Sequence, residues 1–277
     1  MTPSHSLPAR DADVLIVGAG PAGLTLACAL GDIGLSVMLL EQQPEGALME
    51  PAEDGREIAL THRARRVMEQ LGLWRHLPAD EIAPLREARV VDGDAPTVLR
   101  FESSGVDGSA LGWLVPNHLI RRAAWAAAAE RQGVRCVCDA RVTALHPTAD
   151  QTGVTLSDGR RLNALLVVAA DSRFSQMRRL AGIGASMHDF GRSVVVGRVA
   201  HEQDNGGVAW ECFRYGNTLA LLPLNKGRSS AVVTVASDQA PHWMALADDE
   251  FAARVDAQSD RRLGVTATAG PRHLYPP

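Results

Sequence analysis

The hydrophobic positions of this chain begin as separated blocks and end as close alternation. Residues 13–17 form a short apolar, β-branched run that reaches Gly18, the pattern of a buried strand. Residues 21–33 are helix formers and 35–40 are a second apolar run. The opening therefore predicts strand, helix, strand, a parallel pair with a right-handed crossover. Residues 63–77 place Val67, Leu71 and Trp74 at helical spacing, and 89–101 alternate about Asp92-Gly93 as a hairpin. Alanine-rich 117–132 predicts a helix stopped by Gly133, after which Val134–Val137 resumes a strand. Residues 141–162 hold β-prone runs about the turn Ser157-Asp158-Gly159, and 165–169 read as an apolar strand leading to Asp171. After Gly191 the texture changes: 193–200, 208–215, 218–222 and 230–236 are closely spaced β-rich runs. They predict an antiparallel sheet in a second domain, with 248–258 the one clear helix inside it. Residues 1–10, with two prolines, predict a loose arm.

Composition narrows the class. The 277 residues are 46% apolar, 22% charged and 4% aromatic, a globular profile that excludes collagen, coiled coil and disorder. A net charge of -4 with no basic block gives no footprint for a nucleic-acid partner. No window approaches the ~18 apolar residues that span a bilayer. Four cysteines in a chain that opens without a basic and apolar leader predict a reducing compartment, the cytoplasm. The nine histidines and four cysteines never fall into zinc spacing, so no metal is expected. Cys136 and Cys138 alternate on a strand, as small core residues would. Lys226 is the only lysine.

The sharpest chemical signal is Gly18-Ala-Gly20-Pro21-Ala22-Gly23, set between the first strand and the first helix. Gly18 permits a tight turn, Gly20 lets backbone approach a pyrophosphate, and Gly23 allows close helix–strand contact. The phosphates would lie at the helix N-terminus, where free N–H groups and the dipole favour anions. Ala27, Gly34 and Val37 continue the pattern, and Glu41, with Gln42 beside it, closes the second strand where a carboxylate accepts hydrogen bonds from a ribose diol. That carboxylate would repel a 2′-phosphate. The same glycines could also shape a tight turn in an α/β domain without a ligand, and the fingerprint does not by itself choose FAD over NAD.

Beyond the fingerprint, the segments Asp54-Gly55-Arg56-Glu57-Ile58-Ala59-Leu60-Thr61 running to Leu71-Gly72-Leu73-Trp74, Ala170-Asp171-Ser172-Arg173-Phe174-Ser175 with Arg178-Arg179, and Trp210, Phe213 and Gly216 with Ala220-Leu221-Leu222-Pro223-Leu224 resemble the single-component flavin aromatic hydroxylases, in their ubiquinone-biosynthesis branch. The resemblance implies an α/β fold, with a Rossmann-like FAD-binding domain and an interleaved antiparallel β substrate domain, like para-hydroxybenzoate hydroxylase. Residues 1–85 and 113–185 would be the two parts of the FAD-binding domain, 86–112 a hairpin towards the substrate domain, and 186–277 the β-rich substrate domain. The resemblance further implies that Arg56 approaches the FAD, that Asp171 contacts its ribose region, and that Asn117 sets an amide near the ribityl chain. Trp210, Phe213, Leu221, Leu222 and Pro223 would supply an apolar substrate slot. Ser172 and Asn217 depart from the family's usual glycine and proline.

The family's third flavin segment, Gly-Asp-Ala-Ala-His, is not found here; Asp94 in Gly93-Asp94-Ala95-Pro96 imitates it, but lies in the hairpin. The chain thus matches about the first two thirds of the family. The function implied is FAD-dependent hydroxylation of a polyprenyl phenol or quinone precursor in ubiquinone biosynthesis, with NAD(P)H and O2 as partners and peripheral contact with the inner membrane. His118 and His242 are candidates for a base by residue type alone, and no catalytic residue is assigned. The other readings are a non-catalytic remnant that binds FAD weakly, and a different FAD oxidoreductase acting on a small aromatic.

Overall fold

A computed structural model describes residues 10–103, 110–214 and 216–276. Residues 1–9, expected as an arm, and Tyr215, expected to end a strand, lie outside the described residues. The chain opens with β1 (Ala12–Val17), α1 (Pro21–Asp32) and β2 (Val37–Leu40), and β1 pairs parallel with β2 from Val14↔Val37 to Val17↔Leu40. Then come α2 (Glu45–Met49), β3 (Glu57–Leu60), α3 (His62–Gln70), β4 (Ala83–Leu85), the hairpin β5 (Glu87–Asp92) and β6 (Val98–Glu102), and β7 (Gly112–Pro116). Next are α4 (Asn117–Ala129), β8 (Val134–Val137), β9 (Val142–Pro147), β10 (Thr152–Leu156), β11 (Arg161–Ala169) and α5 (Gln176–Leu180). The last stretch holds β12 (Arg192–His201), β13 (Val208–Arg214), β14 (Asn217–Pro223), β15 (Arg228–Ala236), α6 (Ala240–Ala245), α7 (Asp248–Gln258), β16 (Thr266–Thr268) and β17 (His273–Tyr275).

The chain divides into two units, each built from three separate stretches of sequence. Unit 1 comprises the residues up to Ala52, Met68–His76 and His118–Ser186. It holds a six-stranded sheet in the order β8-β2-β1-β11-β10-β9. Its first four strands run parallel, and β10 and β9 extend it antiparallel. The sequence suggests a hairpin ending at residue 162 and a separate strand from 165. They form one strand, β11, which pairs antiparallel with β10 and parallel with β1. Leu15, Met38, Leu40, Val154 and Leu156 form the core on one side of this sheet.

Unit 2 comprises Glu53–Val67, Leu77–Asn117 and the residues from Met187 onward. Its large sheet runs β16-β12-β15-β14-β13-β5-β6, with β17 also on β12, and is antiparallel except where β5 lies parallel to β13. One face packs on α6 and α7 through Leu219, Leu221, Val233, Trp243, Phe251 and Val255. Phe251 is fully buried, and its ring lies 3.2 Å from where a Cβ on Gly197 would stand, so β12 approaches α7 as closely as a bare backbone allows.

Three expectations change. The helix over 63–77 ends at Gln70 because Gly72 takes φ +74°, and the N–H groups of Gly72 and Leu73 turn back to the carbonyls of Glu69 and Met68. A three-stranded sheet, β3-β7-β4, and the short helix α6 were not expected. Residues 53–67 and 77–85, expected with the first FAD-binding part, and 113–117, expected with the second, group with unit 2, where β3 and β4 both pair with β7.

Candidate functional site

Within unit 1 the turn between β1 and α1 opens onto a cavity of about 360 Å³. Gly18, at φ +105°, sits so close to the next crossover that a Cβ would stand 2.4 Å from the Ala170 carbonyl oxygen. A Cβ on Gly23 would stand 2.0 Å from the Gly18 carbonyl oxygen, whereas one on Gly20 would meet nothing within 4 Å. So two glycines are demanded by packing, and the third leaves free space above the backbone. The N-cap of α1 is Gly20, no side chain caps the helix, and Pro21 begins it. The N–H groups of Ala22 and Gly23 are thereby left for an outside acceptor.

Glu41 lies just beyond β2 and is 8% exposed. Its Oε2 accepts the Ala19 N–H at 2.8 Å and its Oε1 the Gln43 N–H at 2.9 Å. A carboxylate has about four lone-pair sites, so two remain for a diol. Glu41 and Gln42 line the cavity together with Gly18, Gly20 and Asp171. Asp171 Oδ2 accepts the N–H groups of Gln176 at 2.7 Å and Met177 at 3.1 Å, so this carboxylate also caps α5. Burial pushes the Asp171 carboxyl up, but hydrogen bonds from Ser175 and from the backbone outweigh it and hold the group below its ordinary value.

The cavity also gathers Arg121 of α4, Arg141 and Arg179 of α5, and none of the three pairs with a carboxylate among the described residues. Of these cations only Arg179, in the Arg178-Arg179 pair, stood in a segment singled out from the sequence. They come from three separate stretches of chain.

The remaining candidates belong to unit 2. Arg56 donates to Asp54 Oδ2 from Nη2 at 2.6 Å and from Nε at 3.0 Å, and Asn117 Nδ2 donates to the same oxygen at 2.7 Å. The Tyr275 hydroxyl donates to the Asp54 carbonyl oxygen, and the Arg56 guanidinium stands 5.3 Å from the centre of the Tyr275 ring. Asp54 thus joins two residues that sequence reasoning named separately. Burial raises its carboxyl, but hydrogen bonds from Arg56 and Asn117 prevail and hold it low. The neighbouring Glu57 side chain is wholly buried: Arg198 donates to Oε1 at 2.7 and 3.1 Å, while Oε2 has no partner among the described residues. Burial pushes the Glu57 carboxyl up.

The five apolar candidates do not line one slot. Successive strand residues point to opposite faces, and Trp210 pairs with Leu221 while Phe213 pairs with Thr218. Trp210 lies on the helix-covered face, in contact with the core and stacked at 4.2 Å by Arg262. Pro223 shares that parity with Leu221. Leu222 and Phe213 take the opposite face, and Phe213 is 46% exposed. Three of the five therefore lie on the covered face.

Known proteins match this chain along most of its length. The family described as FAD binding domain matches residues 11–270. A ubiquinone hydroxylase, UbiM, of Neisseria meningitidis is 42% identical over 268 residues, which are 95% of this chain and 58% of that protein. A ubiquinone hydroxylase, UbiL, of Rhodospirillum rubrum is 38% identical over 264 residues, 95% of this chain and 61% of that protein. The chain therefore spans about three fifths of the length of these curated relatives. Among solved structures, PqsL, described as a probable FAD-dependent monooxygenase from Pseudomonas aeruginosa, superimposes with a TM-score of 0.73 at 24% identity over 94% of this chain and 73% of that one. This likeness establishes the para-hydroxybenzoate hydroxylase-like fold.

Proposed function

Because the chain belongs to the FAD binding domain family, we propose that it acts as an FAD-dependent aromatic hydroxylase on a polyprenyl phenol or quinone precursor of ubiquinone, using NAD(P)H and O2. The observation that carries this reading is the unit 1 cavity, where a glycine turn, an uncapped helix start, a buried acceptor and three arginines converge. The names and identities of the two ubiquinone hydroxylases support the choice of substrate class.

Residue by residue, the Ala22 and Gly23 N–H groups would hold the diphosphate, with Arg121, Arg141 and Arg179 balancing its charge. Glu41 would accept the ribose hydroxyls through its two free lone-pair sites and would turn away a 2′-phosphate. Asp171, kept ionised by its backbone donors, would accept from the sugar region, and Arg56 and Asn117 are assigned to the flavin side by resemblance. FAD, when bound, supplies the chemistry: it takes a hydride from NAD(P)H and activates O2. Leu222 and Phe213, on the sheet face away from α6 and α7, would lie along the apolar substrate and keep water from it.

No helix among the described residues is long and apolar enough to cross a membrane. A cytoplasmic protein with peripheral contact at the inner membrane is the reading that suits a substrate gaining about 0.8 kcal/mol per buried CH2. Exposed Leu99 and Phe101 on the β5–β6 hairpin support that contact. Retention on vesicles carrying a ubiquinone precursor, at low and moderate salt, is the expected result; failure to be retained removes the membrane contact. The decisive experiment is the absorbance of the purified protein followed by oxygen uptake with NADH or NADPH. A yellow preparation whose oxygen uptake rises with a phenolic quinone precursor is expected. A colourless protein that gains no thermal stability from excess FAD would overturn the reading.

A further inference from the structure

Cys136 lies on β8 and Cys138 just after it, two residues apart and with their sulfurs 3.9 Å from each other. The alternation that marked them as core residues is real, yet both are only half-buried, because β8 is the edge strand of its sheet and, among the described residues, pairs with β2 alone. The other two cysteines, Cys28 and Cys212, are fully buried. An oxidant in solvent therefore meets these two thiols first.

The backbone of Val137, between them, and of Asp139 and Ala140, just after them, matters most. The Val137 carbonyl accepts the Glu41 N–H at 3.0 Å, the Ala140 N–H donates to the Glu41 carbonyl at 2.8 Å, and the Asp139 N–H donates to the Gln43 carbonyl at 3.3 Å. The backbone at and just after the two cysteines thus anchors the main chain of Glu41 and Gln43, and Gln43 in turn donates its N–H to the Glu41 carboxylate. Residues two apart on a strand stand roughly 6.6 Å apart, the upper limit of the Cα separation a disulfide accepts. Closing the pair would pucker the chain at Val137, and an edge strand yields more readily because only one ladder resists.

We propose that Cys136 and Cys138 form an oxidisable dithiol whose closure to a disulfide loosens the grip of Glu41 on the cofactor. The step is balanced with a peroxide as oxidant: two thiols and one hydrogen peroxide give one disulfide and two waters, and an external thiol reverses it. Burial pushes both thiols up, and the carboxylates of Glu41 and Glu45 push in the same direction, so the thiolate fraction is small and oxidation is slow, which is why the test uses excess peroxide. A disulfide closed under backbone strain is readily reduced again. The switch is therefore reversible.

The inference rests on the reading of the unit 1 cavity as an FAD site, and the test separates the two. The whole protein is treated with excess hydrogen peroxide, then examined by intact and peptide mass, by FAD titration and by hydrogen exchange at the Glu41 amide. The expected result is a loss of two mass units confined to the peptide holding Cys136 and Cys138. FAD affinity should fall about tenfold, as for one weakened charge-assisted contact, the Glu41 amide should exchange faster, and dithiothreitol should restore both. C136S and C138S should bind FAD like the parent and show no response to peroxide. Oxygen added to a single sulfur in place of the disulfide overturns the inference, as does a disulfide that leaves the Glu41 amide and FAD affinity unchanged. A reduced protein that binds no FAD overturns the cofactor reading, and the amide exchange still reports whether the dithiol moves Glu41.

Discussion

The two units carry their candidate residues in opposite ways. In unit 1 the groups that face the cavity are fixed by backbone: glycines whose Cβ would strike a carbonyl, a helix start without a cap, a carboxylate held by two N–H groups. In unit 2 the side chains on a sheet decide, and a shift of one position moves a residue from the helix-covered face to the other. Leu221 is core and Leu222 is not. A backbone site admits no side chain at Gly18 or Gly23, whereas a sheet site is retuned one residue at a time.

The largest effect should come from the covered face. Phe251→Ala empties the fully buried ring position beside Gly197 and should cost about 3–5 kcal/mol of stability, read by urea unfolding; a cost below about 1 kcal/mol would mean that α7 does not anchor the sheet. Gly23→Ala attacks the other unit, driving a methyl into the Gly18 carbonyl. FAD affinity should fall about 100-fold, equivalent to ~2.7 kcal/mol, as measured by flavin fluorescence titration, and an unchanged affinity would break the contrast between the units. Leu222→Ala sharpens the contrast of parity: it should cost less than about 1 kcal/mol of stability, while Leu221→Ala costs about 2–5 kcal/mol. Only the Leu222 change should raise KM for the aromatic substrate.

The smallest effect is acid-dependent. Asp54 in unit 2 and Asp171 in unit 1 both titrate below the ordinary 3.8. The stability each contributes is complete above pH 3.8 and is lost as pH falls through its lowered value. Asp54→Asn and Asp171→Asn should each melt below the parent at pH 7 and converge on it in acid, in thermal scans at pH 7 and pH 3. A gap that stays constant would show that the hydrogen bonds rather than the charge matter.

The places of the glycine turn and of Glu41 beside the cavity were legible because each is set by short spacing along the chain: strand, tight turn, helix, next strand. The arginines of the cavity were not, since Arg121 of α4, Arg141 just before β9 and Arg179 of α5 meet only once those three stretches of chain have docked. The β3-β7-β4 sheet escaped because strands of three to five residues carry too few positions for a period of two to register. The splitting of Trp210 from Phe213 was readable in principle. They are an odd number of positions apart on one strand, and reading both as apolar hid their parity.

β11 ties two distant stretches of chain together, since Ala12 of β1 finds its neighbour in Ala164. During synthesis at about 5–20 residues per second, β1 therefore waits on the order of ten seconds with one flank bare, an open template for stray strands. For this protein the hazardous interval on the ribosome is the wait for Arg161–Ala169, and a chaperone that shields a hydrophobic amino-terminal strand would be of most use then.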